Sequence, residues 1–263
     1  AVEGDTEELV EAVTSGAKFK HIEYDAISYS GIRKANELSF GKSMIPDYDF
    51  SKAKTIISFG ADFLSNWLLP TQFISQYGER RNPDNDWMSK HYQVESNMSI
   101  TGSNADHRVM IKPSEEAGVL AALIKACGGS AKGVNASLPG TVDQATIDMM
   151  AKDLKKGQGL VVSGSNNAGV QVLVNKLNSM IGAYESTINV NNPIQLYSSQ
   201  DEEMMKLAQD VANGKGPDAV FFYDTNPAYS LPNGKAFAEG LSKLKLSVST
   251  AAYADETASK CQF

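Results

Sequence analysis

The feature that most constrains this fold is the alternation of short β-rich runs with amphipathic helical stretches. The run at 54–59 is compact and β-branched, which is typical of a buried parallel strand. Strand–helix alternation of this kind favours an α/β fold with mostly parallel sheet and right-handed crossovers. The pattern predicts strands at 18–24, 54–59, 91–95, 159–163, 218–223 and 244–249. It predicts helices over 26–40, 71–80, 114–126, 141–154, 170–181, 201–212 and 235–241.

The segment 128–133, Gly-Gly-Ser-Ala-Lys-Gly, has the composition of a linker. After it the strand–helix pattern starts again. We therefore expect two Rossmann-like modules with mostly parallel sheets, residues 1–128 and residues 134–263. Sheets of this type bind ligands in the loops that leave the carboxyl ends of their strands.

Composition excludes several classes of protein. Hydrophobic residues make up 42% of the chain and charged residues 21%, as in ordinary globular proteins. The chain has a net charge of −7 and therefore lacks the excess of basic residues on which non-specific nucleic-acid binding depends. The longest apolar stretches fall far short of the roughly 20 residues that span a bilayer. Because the chain begins at Ala1 without a leader segment, we expect a piece of a longer protein.

Residues suited to catalysis or metal binding are sparse. Cys127 and Cys261 form no Cys-x-x-Cys motif, so this chain cannot build a structural zinc site or a cysteine-ligated iron–sulfur cluster. Whether the two form a disulfide stays open. His21, His91 and His107 have no metal-ligand spacing, and no nucleophile elbow, Walker loop or dinucleotide fingerprint occurs. We predict no catalytic residue and no metal ligand.

Loops at predicted strand ends are the candidate binding elements. A glycine there permits a tight turn, and a helix beginning directly after such a turn can hold an anion. Asn-Pro favours a turn at a strand end. The candidate binding residues are Gly60, Asp62, Gly164, Ser165, Asn226 and Pro227.

The order of these loops resembles that of the central domains of the molybdopterin oxidoreductase (dimethyl-sulfoxide-reductase-like) superfamily. In that family one strand ends in Gly-x-Asn-Pro, a Gly-rich turn precedes a helix carrying Leu-Asn, and an Asn-Pro-Ala-x-Ser-x-Pro loop follows. Matching segments here are 59–63, 104–115, 162–164 with 177–178, 226–232 and 255–258. The resemblance covers nearly the whole chain and implies two Rossmann-like modules whose loops, in cofactor-binding members, grip a molybdopterin guanine dinucleotide.

A narrower resemblance is to the fused molybdopterin-like and iron–sulfur subunit of bacterial alternative complex III. It rests on segments 40–50, 58–64, 95–102 and 105–108. It implies a membrane-bound, quinol-oxidising respiratory complex that includes c-type cytochromes, with this subunit on the periplasmic side of the inner membrane. It also implies iron–sulfur clusters in the part of the subunit beyond this chain.

Two departures from the cofactor-binding pattern bear on function. Asp62-Phe63 replaces the family's Asn-Pro, and Glu95-Ser96-Asn97 replaces its Asp-Pro-Arg. A desolvated carboxylate facing a dinucleotide diphosphate would repel it by roughly several kcal/mol. We therefore expect no molybdenum and no other cofactor in this fragment, with the six candidate positions vestigial.

Three functions are consistent with these patterns. The first is a non-catalytic scaffold in a respiratory oxidoreductase subunit, supporting quinol-to-cytochrome electron transfer carried by other domains. The second is the cofactor-binding central domain of an active molybdopterin-guanine-dinucleotide enzyme. The third is a small-ligand-binding α/β protein. Asp62 and the missing Asp-Pro-Arg favour the first over the second.

Overall fold

The computed structural model describes residues 20–263 and has a mixed α/β fold. Its strands are β1 Ile45–Tyr48, β2 Thr55–Phe59, β3 Lys90–Glu95, β4 His107–Met110, β5 Gly159–Ser163, β6 Ile188–Ile194, β7 Ala219–Phe222 and β8 Leu246–Ser249. Its α-helices are α1 Ser30–Phe40, α2 Pro70–Glu79, α3 Ile100–Ser103, α4 Glu116–Ala126, α5 Gln144–Leu154, α6 Ala168–Met180, α7 Asp201–Ala212, α8 Pro227–Ser230 and α9 Gly234–Leu241. The α/β class predicted from the alternation is confirmed.

The described part of the chain divides into two compact units, one of residues 31–195 and one of residues 20–30 with 196–263. In the first unit four parallel strands form a sheet in the order β4-β3-β2-β5. Strands β1 and β6 of the same unit pair antiparallel. In the second unit β7 and β8 pair in parallel.

Both faces of the four-stranded sheet are covered, as parallel strands require. Ile57, Tyr92 and Val161 face a core formed with helices α4, α5 and α6. On the opposite face, Phe63 packs against Phe50 and Tyr77, with ring centroids 4.3 and 5.5 Å apart. All five residues of β2 are buried, as the sequence predicted for a parallel strand at 54–59.

The second unit packs α7 and α9 beside its two strands. Phe222 of β7 contacts Phe237 of α9 edge-on at 5.9 Å between ring centroids. Val211, Phe237 and Leu241 belong to the same buried cluster.

The predicted modules, residues 1–128 and 134–263, do not coincide with these units. Strand β2 pairs in register with β5 from Thr55 opposite Gly159 to Phe59 opposite Ser163, so one sheet includes residues from both sides of the 128–133 segment. That segment is a connection between α4 and α5 inside the first unit. The strand predicted at 18–24 is not formed over 20–24, and residues 18–19 lie outside the described residues.

Within residues 20–263, no helix combines the length and apolar character that crossing a bilayer requires.

Candidate functional site

The Gly60 and Gly164 turns lie against each other at the carboxyl ends of neighbouring strands. Gly60 has a φ of +61°, which favours glycine, and its N–H donates to the Val94 carbonyl at 2.9 Å. The Gly164 N–H donates to the Phe59 carbonyl at 2.9 Å. A Cβ atom on Gly164 would lie 2.5 Å from the Gly60 carbonyl oxygen, so only glycine permits this approach.

One oxygen of the partly buried Asp62 carboxylate is bonded to the protein. Its Oδ1 accepts hydrogen bonds from the Thr101 N–H at 3.0 Å and from the Thr101 hydroxyl at 2.6 Å. The Thr101 Oγ1 in turn accepts the Leu64 N–H at 3.0 Å. Asp62 and Thr101 therefore tie the loop after β2 to the short helix α3 in the loop after β3.

Ser165 belongs to a turn whose amide groups bond within the chain. The Ser165 N–H donates to Ser163 Oγ at 3.0 Å, and the Asn167 N–H donates to Ser165 Oγ at 3.3 Å. Asn167 caps the first turn of α6, where its Oδ1 accepts the Gly169 and Val170 N–H groups at 2.8 and 3.2 Å. These four N–H donors are therefore already engaged within the chain.

Glu95 occupies the end of β3, where the related motif carries Asp-Pro-Arg. Its carboxylate accepts hydrogen bonds from Arg108 Nε at 2.7 Å and from the Ser99 hydroxyl at 2.6 Å. Gln93 Nε2 donates to it at 3.1 Å. Burial acts to raise the pKa of Glu95, but the hydrogen bonds from Ser99, Arg108 and Gln93 hold that pKa below its ordinary value. Glu95 thus fixes the loop that it precedes.

Glu116 is a buried carboxyl at this sheet edge that the sequence patterns did not single out. It begins α4, and its Oε1 accepts the Ser163 hydroxyl at 2.6 Å. Burial raises the pKa of Glu116 to about 7, although the Ser163 hydrogen bond acts in the opposite direction. Glu116 falls within the predicted helix 114–126, but no local pattern reveals its partner Ser163 on β5.

The Leu-Asn segment of α6 closes the outer edge of the sheet. Asn178 accepts the Val161 N–H at 3.0 Å and donates its own amide to the Val161 carbonyl at 2.7 Å. Thr187 donates to the Gly159 carbonyl at 2.8 Å, and Gln171 donates to the Ser163 carbonyl at 2.9 Å. These side chains take the place of a further strand beside β5.

Asn226 and Pro227 lie in the second compact unit, whereas Gly60, Asp62, Gly164 and Ser165 lie together in the first. Asn226 Nδ2 donates to Glu256 at 2.7 Å, and Asn226 Oδ1 accepts the Thr257 hydroxyl at 2.7 Å. Pro227 is buried at the first position of α8. The Thr257 Oγ1 also accepts the Ala228 N–H at 2.9 Å. Thr257, in the 255–258 segment, holds the Asn-Pro-Ala loop.

A pyranopterin guanine dinucleotide would need free donors for its diphosphate, and these residues do not fit it. The Asp62 carboxylate adds negative charge at the Gly60 turn, and the amides of the 164–167 turn named above bond within the chain. Among residues 20–263, no group of three or more His, Cys, Asp or Glu side chains is placed to hold a metal ion. Cys127 and Cys261 are both free thiols.

No protein-family model matches the chain. Among curated proteins, the menaquinone reductase molybdopterin-binding-like subunit of Nitratidesulfovibrio vulgaris is 26% identical over 265 residues, covering 87% of this chain. The chain spans only 38% of that relative's length.

Among solved structures, the formyltransferase/hydrolase complex (FhcABCD) of Methylorubrum extorquens, in complex with methylofuran, contains a similar chain. The match has a TM-score of 0.51 at 13% identity and covers 99% of this chain and 83% of that chain. At this identity the likeness concerns the fold alone. The similarity to the menaquinone reductase subunit supports a molybdopterin-oxidoreductase-like relationship for this chain.

Proposed function

We propose that this chain is a non-catalytic scaffold region of a larger molybdopterin-oxidoreductase-like subunit in a quinone-linked respiratory complex. The observation that carries the proposal is the Asp62 carboxylate, which is bonded to Thr101 at 2.6 and 3.0 Å where a cofactor-binding loop would need a neutral, free group. In this role the loops at the carboxyl edge of the sheet are stabilised by hydrogen bonds to one another and do not bind a cofactor. The redox chemistry belongs to iron–sulfur clusters and haems on other domains and subunits.

Two further observations support the scaffold. Glu95 receives hydrogen bonds from Ser99, Arg108 and Gln93, so the second departure from the cofactor-binding pattern also serves the protein's own loops. Asn226 is likewise engaged, through Glu256 and Thr257. The side chains of Asp62, Glu95 and Asn226 therefore each have partners within the protein.

The proposed setting is a membrane-bound complex of the alternative complex III type, which passes electrons from quinol to c-type cytochromes. The subunit would lie on the periplasmic side of the bacterial inner membrane. Support comes from the matching segments 40–50, 58–64, 95–102 and 105–108 and from the relative's description as a menaquinone reductase subunit. That relative shares the quinone link of the proposed complex.

Elemental analysis of the purified parent subunit tests this proposal. We expect iron without stoichiometric molybdenum or tungsten. Stoichiometric molybdenum or tungsten would overturn the scaffold proposal and would indicate that the Gly60 and Gly164 turns bind a cofactor.

Activity of the assembled complex provides an independent check. The Asp62→Asn variant should oxidise quinol at nearly the rate of the unmodified complex, because the asparagine side chain would retain an Oδ1 acceptor for Thr101. A large loss of quinol oxidation with normal subunit assembly would contradict the scaffold role.

A further inference from the structure

A trough runs between α4 and α5 on the surface of the first unit, away from the sheet edge described above. It consists of two depressions of about 340 and about 330 Å³. Its apolar lining comprises Ala122, Ala126 and Ala151 of the two helices with Ala136 and Leu138 of the segment between them, and its rim carries the exposed Lys125, Lys152 and Lys155. We call this surface the lysine trough.

The two depressions adjoin each other at one residue. Ala126 lines both of them. Gln144, which lines one, donates from Nε2 to Asp148 Oδ1, which lines the other, at 2.9 Å. Residues 144, 148, 151, 152 and 155 recur at helical spacing, so a single face of α5 forms one wall.

The charge of the trough differs from that of the chain. Three lysines stand against the single carboxylate of Asp148, whereas the whole chain carries a net charge of −7. In the part of the chain that the structure describes, none of the three lysines takes part in an ion pair. Asp153 of the same helix is buried and paired with Lys90 and Lys156, so it does not neutralise the rim.

We propose that the lysine trough binds an acidic segment of a partner subunit. The small side chains of Ala122, Ala126 and Ala151 let the backbone of a bound segment approach the two helices closely, and the charged rim matches carboxylates on its flanks. Interfaces combine an apolar centre with a polar rim in this way. Small-molecule sites are instead enclosed and lined mainly by apolar and aromatic side chains, whereas this trough has no aromatic lining residue.

The inference rests on the proposed function in one respect, which is that a partner subunit exists. The relative from Nitratidesulfovibrio vulgaris is itself described as a subunit. Stoichiometric molybdenum in the parent subunit would contradict the proposed scaffold function but would not bear on the proposed binding role of the lysine trough. If the trough lysines react with a chemical reagent as readily in the assembled complex as in the free subunit, the binding role of the lysine trough is contradicted and the scaffold function is not.

Amine acetylation of the parent subunit, alone and in its purified complex, tests the inference directly. We expect Lys125 and Lys152 to react several-fold more slowly in the complex, and carbodiimide to cross-link them to partner carboxylates. Lys206 and Lys215, which are exposed on or just after α7, provide reference reactivities. Equal acetylation of Lys125 and Lys152 in the two states would overturn the proposal.

Charge reversal gives the second test. Exposed Lys125 and Lys152 can be replaced without loss of a buried contact, and Lys155 is kept because its Nζ donates to the Ala126 carbonyl at 2.8 Å. The K125E/K152E variant should weaken partner binding on the order of tenfold at about 0.1 M salt. The K206E/K215E variant should bind normally, and circular dichroism melting should show both variants folded.

Unchanged partner affinity of the K125E/K152E variant would overturn the proposal. So would lysine-dependent binding to phosphatidylglycerol vesicles combined with normal partner affinity, since that result assigns the trough to a membrane surface.

Discussion

Thr101 donates two hydrogen bonds to one oxygen of Asp62, from its backbone N–H at 3.0 Å and from its hydroxyl at 2.6 Å. Thr101 is fully buried, so both of its donors depend on partners within the protein. The pair joins the loops that follow two adjacent parallel strands. A position that reads in sequence as a departure from a cofactor-binding motif is, in the folded chain, a loop-to-loop tie.

Replacing Asp62 should therefore affect stability. Asp62→Ala removes the acceptor of both Thr101 donors and should lower the free energy of unfolding by about 1–3 kcal/mol. Asp62→Asn keeps an acceptor oxygen and serves as the matched control, with a smaller loss. Urea unfolding of the chain measures the loss of stability in both variants. Equal stability of the alanine variant and the unmodified chain would show that the Asp62–Thr101 hydrogen bonds do not stabilise the loops.

Gly164 should tolerate no side chain. Its Cβ would lie 2.5 Å from the Gly60 carbonyl oxygen, which is backbone and cannot rotate away, so Gly164→Ala should cost about 1–3 kcal/mol. Gly78→Ala is the control, because Gly78 is exposed in α2 and a Cβ there meets nothing within 4 Å. That control should gain up to about 1 kcal/mol from higher helix propensity. Thermal unfolding distinguishes the two, and similar melting temperatures would argue against the close approach.

The Asn178 side-chain amide should contribute more to the free energy of unfolding than a side chain that makes a single hydrogen bond. Asn178→Leu leaves the Val161 N–H and carbonyl of the buried edge strand unpaired and should cost about 2–4 kcal/mol. Thr187→Val, which removes one bond to the Gly159 carbonyl, should cost about 1 kcal/mol. Chemical unfolding of the two variants provides the comparison, and equal losses would show that Asn178 does not close the edge.

Glu116 should make stability depend on pH. Its folded-state pKa of about 7 exceeds the ordinary value for glutamate, so the folded chain holds a proton that the unfolded chain releases. Its contribution to stability is therefore greatest at low pH and falls as pH rises from about 4.3 to about 7, by on the order of 3 kcal/mol.

The Glu116→Gln variant removes this titration and should gain stability relative to the unmodified chain between about pH 5 and about pH 8. Glu239→Gln, at an exposed position of α9, provides a control for the removal of one surface carboxylate. Unfolding free energies across this pH range measure the effect. Parallel curves for the Glu116→Gln variant and the unmodified chain would rule out Glu116 as the source.

Local pattern predicted the elements that are buried and regular. The run 159–163 became β5 with the same bounds, and 54–59 differs from β2 only at Lys54. Helix 201–212 also has the predicted bounds. By contrast, β1 contains Pro46 and β6 contains several asparagines and Pro193, residues that are rare in strands. Those two strands form because they pair with each other across about 140 residues, which no local pattern reveals.

By itself the sequence determined the fold class, the strand-end glycines and the departures at Asp62 and Glu95, because each depends on residue type and local spacing. Only the tertiary structure decided that β5 joins β2, which removes the boundary near residue 130. The tertiary structure alone also determined the hydrogen-bond partners of the polar side chains at the sheet edge. Thr101 lies 39 residues from Asp62 and Glu116 lies 47 residues from Ser163, and such hydrogen bonds exist only once parallel strands bring their carboxyl ends to one edge.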